Sequence, residues 1–321
     1  MNKEKILKAG EIAKQVKAFI EPLIKPGTPL LEIAEKIESK ITELGGKPAF
    51  PTNLSIDNIA AHYTPSYNDE TLAHGLLKID FGVQIDGWVA DTAFSVDLED
   101  SEENKKLIKA SEDAVNNAIK LIKKESDFAS NIRRREAPEG GVGRITEQNH
   151  KLGGALTLSQ IGSTIQQAIE SQGFSPIINL SGHEMKQYEL HAGLTIPNID
   201  DNNQTELQKG LYAIEPFATT GSGKVHDGKP SGIYMLVDEK NPRSPTAREV
   251  LNFIIDEYKT LPFCSRWIVK ELGVKSLFGL KQLESNRNLH NFAQLVETSE
   301  SKVSQAEHTI LIEDEVIVTT N

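Results

Sequence analysis

One stretch, KIDFGVQIDGWVADTAF at residues 78–94, constrains the fold of this chain more than any other. Two apolar runs flank Asp86-Gly87, and Asp-Gly between alternating apolar residues is the strongest short-range hairpin signal. The spacing predicts a two-residue turn in a hairpin over 76–98, with Ile85 opposite Trp88 and Gly82 opposite Asp91. Asp80 and Asp91 then become diagonal neighbours on one face, their Cβ atoms about 7 Å apart or less. Aspartate is depleted from strands. Two ionised carboxylates 4 Å apart repel by about 4 kcal/mol at an effective dielectric of 20. A cation or a shared proton relieves that repulsion; the alternative is two aspartates on the wetted side of an amphipathic hairpin.

The flanking periodicity sets the hairpin in a duplicated α+β unit. Residues 3–23 carry a helical stripe of Ile6, Ile12, Val16, Phe19 and Ile20. Thr28-Pro29 reads as an N-cap and first helical residue, followed by Leu30, Leu31, Ile33, Ile37, Ile41 and Leu44 and a stop at Gly45-Gly46. After the hairpin, helices are expected over 102–124 and 158–172, the second opened by Thr157 and Gln160 as a capping box. Strands are expected near 176–180, 188–196 and 211–217, with a closing hairpin at 308–320. Residues 240–296 read as an inserted, mostly helical subdomain. Residues 126–154 read as an atypical loop insertion: four of the eight arginines (Arg133, Arg134, Arg135, Arg144) and five glycines fall there without a period.

Composition narrows the function. The net charge of −11 opposes a nucleic-acid backbone, so no nucleic-acid partner is expected. No apolar run reaches membrane-spanning length, and the first residues lack an apolar leader core. Cys264 is the only cysteine, which excludes an internal disulfide and thiolate-rich zinc sites. A cytoplasmic chain without membrane association is expected.

Four further stretches put ligand-type residues on short apolar or glycine-flanked runs: AAHYTP with His62, NLSGHEMKQYELHAG with His183 and His191, YAIEPFAT with Glu215, and SQAEHTILI with Glu307. Singly each is ordinary, since lone histidines and strand-end glutamates are mostly surface or core residues. With Asp80 and Asp91 they form an oxygen-rich set suited to divalent manganese, iron, cobalt or zinc. This ordered set resembles the methionine aminopeptidases, specifically the archaeal and eukaryotic type 2 group, over 1–125 and 155–321. The 92-residue gap between Glu215 and Glu307, which holds the helical subdomain, is similar to type 2 rather than type 1.

That resemblance implies a pita-bread fold over 1–321: one catalytic domain of two pseudo-symmetric halves around a curved antiparallel sheet, with 240–296 as the type 2 insertion. It implies two divalent ions held by Asp80, Asp91, His183, Glu215 and Glu307. It implies a bridging water activated by them, Glu215 as proton shuttle, His62 and His191 as hydrogen-bonding groups, and Phe50 in the methionine pocket. The implied substrates are peptides and nascent chains, near the ribosome, with an N-terminal methionine before a small residue. The family's histidine at the place of His62 is alkylated by fumagillin-type epoxides. Two alternatives stay open: an Xaa-Pro aminopeptidase or dipeptidase of the same fold, and a non-catalytic pita-bread binding protein.

Overall fold

The computed structural model describes residues 1–136 and 156–321. Helix α1 (Lys3–Ile20) starts at Asn2, whose side chain accepts from the Lys5 amide, and buries Ile6, Ile12, Val16 and Ile20 along one stripe. Helix α2 (Leu30–Glu43) buries Leu30, Ile33, Ile37 and Ile41. Its cap differs from expectation. Pro29 is the capping position and Thr28 lies outside the helix, its carbonyl accepting from the Ala73 amide at 2.8 Å. Pairing with the 71–73 segment holds Thr28-Pro29 extended, so the helix begins one residue later.

The hairpin strands are Leu76–Ile85 and Trp88–Asp97, in the expected register. Asp86 (φ 50°) and Gly87 (φ 77°) both take left-handed backbone, as a twist-matched two-residue turn requires. The hairpin lies in a nine-stranded sheet in the order Lys47–Pro48, Leu76–Ile85, Trp88–Asp97, Glu307–Ile312, Gly210–Ile214, Ser181–Met185, Thr195–Pro197. Asn53–Ile56 pairs beside the first hairpin strand and Val316–Val318 beside Glu307–Ile312, and all of these pairings are antiparallel.

Strand alternation assigns the two faces. Ile79, Phe81, Val83, Ala90 and Phe94 pack with the apolar stripes of α1 and α2. Tyr212, Ile214, Ile310 and Ile312 pack with α3 (Glu102–Glu136) and α4 (Leu158–Glu170). Each helix pair covers one half of the sheet; the other face carries the polar side chains beside an apolar cluster that includes Val89, Met185, Leu211 and Leu311. The Thr157–Gln160 capping box that opens α4 is present.

Further expectations need correction, among them the strand near 176–180, where only Ser175–Pro176 is a strand. Helix α3 runs on to Glu136, so the first residues of the 126–154 segment, Arg133, Arg134 and Arg135 among them, are helical rather than loop. Lys, Arg, Glu and Ala are strong helix formers, and a helix already nucleated extends without an apolar stripe. The rest of that segment, Arg144 included, lies outside the described residues. The expected strand 188–196 is mostly a loop: Tyr188 has φ 59°, and regular pairing is confined to Ser181–Met185 and Thr195–Pro197. The expected strand 211–217 breaks after Ile214, because Pro216 has no N–H for a ladder.

The inserted region holds helices α5 (Pro245–Glu257), α6 (Ser265–Leu272) and α7 (Ser276–Ser285). Its last part is not helical. Leu289–Glu297 is a strand, paired with Val225–Leu236 on one side and Ile59–Ala61 on the other, and Phe263–Cys264 completes this second sheet. No helix among the described residues is long and apolar enough to cross a membrane.

Candidate metal centre

Two adjacent rows across the large sheet assemble the polar face. In the first, Asp80 faces Ala93 and Ala93 faces Glu307; the same register carried one step beyond Ile214 sets Glu215 opposite Glu307. In the second, Gly82 faces Asp91, and His183 faces Ala213, which in turn faces Thr309. Thr309 joins the two parts of that row: its hydroxyl accepts from the Asp91 amide at 2.7 Å and donates to the Asp91 carbonyl at 2.8 Å. Small residues (Gly82, Ala93, Ala213) stand between the donors, so nothing bulky separates them.

The donors converge. Ligand atoms of Asp91, His183 and Glu307 all lie within 4.8 Å of one another. His183 Nε2 is 3.7 Å from both Asp91 Oδ2 and Glu215 Oε1. Burial, reinforced by the neighbouring His191, holds the His183 pKa down at about 3. It is therefore neutral, and these approaches are not ion pairs.

Electrostatics mark the cluster as incomplete. Burial raises Asp80 to about 7 even though Gln305 hydrogen-bonds its carboxylate. Burial together with repulsion from the other carboxylates pushes Asp91, Glu215 and Glu307 well above the ordinary range. Asp80 Oδ1, Asp91 Oδ1 and His183 Nδ1 are buried without any hydrogen-bond partner. Orphaned carboxylate oxygens such as those of Asp80 and Asp91 are costly unless something positive meets them. Four carboxylates and a neutral imidazole fit divalent cations, and two such ions balance the four negative charges.

The cluster floors a cavity of about 320 Å³ lined by all eight residues singled out from the sequence: Phe50, His62, Asp80, Asp91, His183, His191, Glu215 and Glu307. His62 sits in left-handed backbone (φ 66°) with Nδ1 3.1 Å from the Ala293 carbonyl. A carbonyl only accepts, so Nδ1 carries the proton and Nε2 is left as an acceptor. His191 is exposed, its ring edge-on to His183 at 4.4 Å. Phe50 is buried, and Phe217, Ile233, Phe292 and Leu295 add apolar wall.

Sequence reasoning missed Gln305, whose amide approaches Glu215 Oε2 at 3.5 Å, and Thr309. Both lie two residues from Glu307, so strand alternation points to them. It also missed Ile233 and Phe292, which come from the inserted sheet and have no local signal.

Fold and donor set together define a metallopeptidase of the pita-bread class. The profile of metallopeptidase family M24 matches residues 4–134. The methionine aminopeptidase of Pyrococcus abyssi is 42% identical over 326 residues, covering 100% of both chains. Among solved structures, a thermophilic Arx1 is similar with a TM-score of 0.77 at 16% identity, covering 98% of this chain and 90% of its own. The methionine aminopeptidase of Thermotoga maritima has a TM-score of 0.64 at 20% identity, with 99% and 96% covered. The two structural likenesses concern the fold. The chain belongs to the methionine aminopeptidase family.

Proposed function

We propose that this chain is a metal-dependent aminopeptidase that removes an N-terminal methionine when the next residue is small. The observation that carries this reading is the pair of donor rows on the floor of a cavity whose remaining lining is mostly apolar. The full-length likeness to a methionine aminopeptidase supports it, and neither the Xaa-Pro nor the non-catalytic alternative has comparable support. Peptides and nascent chains are the proposed substrates, the ribosome's surroundings and the cytoplasm the proposed setting.

Asp80, Asp91, His183, Glu215 and Glu307 are the proposed ligands of two divalent ions. Once bound, such ions supply Lewis acidity and an acidified water near neutral pH. The remaining tasks fall to the chain. The apolar wall of Phe50, Phe217 and Ile233 takes the methionine side chain, an unbranched thioether that fills irregular apolar space well. Glu215 keeps an edge open to the cavity and is the proposed proton carrier from attacking water to leaving amine. Gln305 steadies its other oxygen. His62, neutral because burial lowers its pKa to about 4, presents Nε2 as acceptor to an N–H of the substrate. His191, at the mouth, is the proposed donor to the oxygen of the scissile carbonyl.

The test is peptide hydrolysis by purified protein supplied with manganese or cobalt. Methionine release from Met-Gly and Met-Ala peptides is expected, with little from Lys-initiated or Xaa-Pro peptides. Equal rates on Met- and Lys-initiated peptides would reject the reading.

A further inference from the structure

A buried carboxylate outside the metal-ligand cluster joins two segments that line the cavity. Glu38, on α2, receives four donors: Arg266 Nη1 at 2.6 Å, Arg266 Nη2 at 2.8 Å, Trp267 Nε1 at 2.8 Å and the Thr52 amide at 3.3 Å. Arg266 spends its Nε on the Pro65 carbonyl at 3.0 Å. Glu38 and Arg266 are 9% and 5% exposed, so solvent screens the pair little. A two-pronged guanidinium–carboxylate contact fixes distance and orientation together.

Each partner is one short step from the cavity. Thr52 lies between Pro51 and Asn53, both lining it, and Phe50 precedes them. Arg266 lies in the first turn of α6, just after the strand Phe263–Cys264, whose Cys264 pairs with Ile233; Ile233 and Pro262 also line the cavity. One wall comes from the segment before the hairpin, the other from the inserted subdomain. Glu38 is bonded to both.

We propose that the Glu38–Arg266 pair is a specificity device: it sets the separation of the Phe50–Pro51 wall from the Ile233–Pro262 wall, and so the side chain the cavity accepts. The pair touches neither substrate nor metal donors; it is a positioning element. A buried, fully paired ion pair is a weak source of stability compared with apolar packing, and fixing one arrangement among several is its better-attested role. The proposal rests on the aminopeptidase reading of the cavity.

Glu38→Gln and Arg266→Lys test it, with hydrolysis of Met-, Leu- and norleucine-initiated Ala peptides by the wild-type chain as control. Absence of Met-peptide hydrolysis by the wild type defeats the functional reading; all other results address the pair. In either variant the kcat/KM preference for Met over Leu is expected to fall about tenfold through KM, the discrimination typical of a misplaced apolar wall. The kcat on the Met peptide should stay within about threefold and the manganese isotherm should be unchanged, since the donor rows are untouched. Arg266→Lys keeps the charge but not the fork and should lose selectivity too. An unchanged Met/Leu ratio in the folded variants overturns the proposal. So does an equal fall in kcat for all three peptides, or failure of both variants to fold.

Discussion

Gly82 lies directly across the hairpin from Asp91, and the space of its missing side chain is filled by the Phe50 ring. A Cβ at position 82 would collide with Phe50 and lie 2.9 Å from the Ala49 Cβ. One glycine thus adjoins both a proposed metal ligand and the proposed wall of the methionine pocket.

Gly82→Ala is expected to displace the Phe50 ring and raise KM for a Met-initiated peptide about tenfold, at a stability cost of about 1–3 kcal/mol from overpacking. Phe50→Ala removes the ring instead and should reduce discrimination between Met and Leu by about 1–3 kcal/mol. Steady-state kinetics on paired peptides check both. Unchanged KM in Gly82→Ala would show that the ring does not bear on substrate.

Asp91→Asn should retain the fold, because the bonds to Thr309 use the main chain of Asp91 and not its carboxylate. Hydrolysis should nevertheless fall by at least about 10²-fold, with weaker manganese binding by calorimetry. Full activity in this variant, or in chelator-treated protein, would exclude the proposed donor set.

The pH dependence of stability follows from the carboxylates. Asp80 is raised to about 7, and Asp91, Glu215 and Glu307 are raised well above their ordinary range, chiefly by burial. Unfolded, such groups ionise near pH ~4. In between, the folded metal-free chain binds more protons than the unfolded one, so its stability falls as pH rises. His62 and His183, depressed to about 4 and about 3, act oppositely, but only below roughly pH 6.5, where the unfolded imidazole protonates. Cations need the ionised carboxylates and cancel the fall. The melting-temperature gap between manganese-loaded and metal-free protein should therefore widen by about 4 °C or more from about pH 6.5 to about pH 8. A constant gap would rule these carboxylates out as the binding set.

His62 is testable by covalent labelling. With Nδ1 committed to Ala293, Nε2 is the free nucleophile facing the cavity. A fumagillin-type epoxide should give one adduct, mapping to the peptide that contains His62 and absent from His62→Ala. The same variant should lose about 10²-fold or more in kcat if Nε2 supports the transition state. Labelling at His226 or His290 instead would reject this placement.

Much of the site was readable because its logic is strand alternation. Asp80, Gly82 and Asp91 are related by a turn whose chemistry is local, so register and shared face follow from a dozen letters. Residues 188–194 of the expected strand 188–196 form a loop although their apolar residues, Tyr188, Leu190 and Leu194, alternate, because Tyr188 takes left-handed backbone. Arg266 and Glu38 were invisible: 228 residues separate them, and nothing local distinguishes a buried arginine from a solvated one. The strand Leu289–Glu297 was hidden for a related reason. Its partners, Ile59–Ala61 and Val225–Leu236, are distant in sequence, and its own composition is neutral between helix and strand.

The position of Glu307–Ile312 in the sheet has a consequence for biosynthesis. This strand inserts between Trp88–Asp97 and Gly210–Ile214, and the Asp91–Thr309 contact spans 218 residues. At about 5–20 residues per second, a growing chain holds an unpaired edge at Trp88–Asp97 for on the order of 10–40 s before its neighbour is made. During that interval the edge is a template for pairing with other chains, and Asp91, in mid-strand, is the charge that discourages it. The carboxylate proposed to hold metal thus also puts a charge on an edge that stays open while the chain is being made.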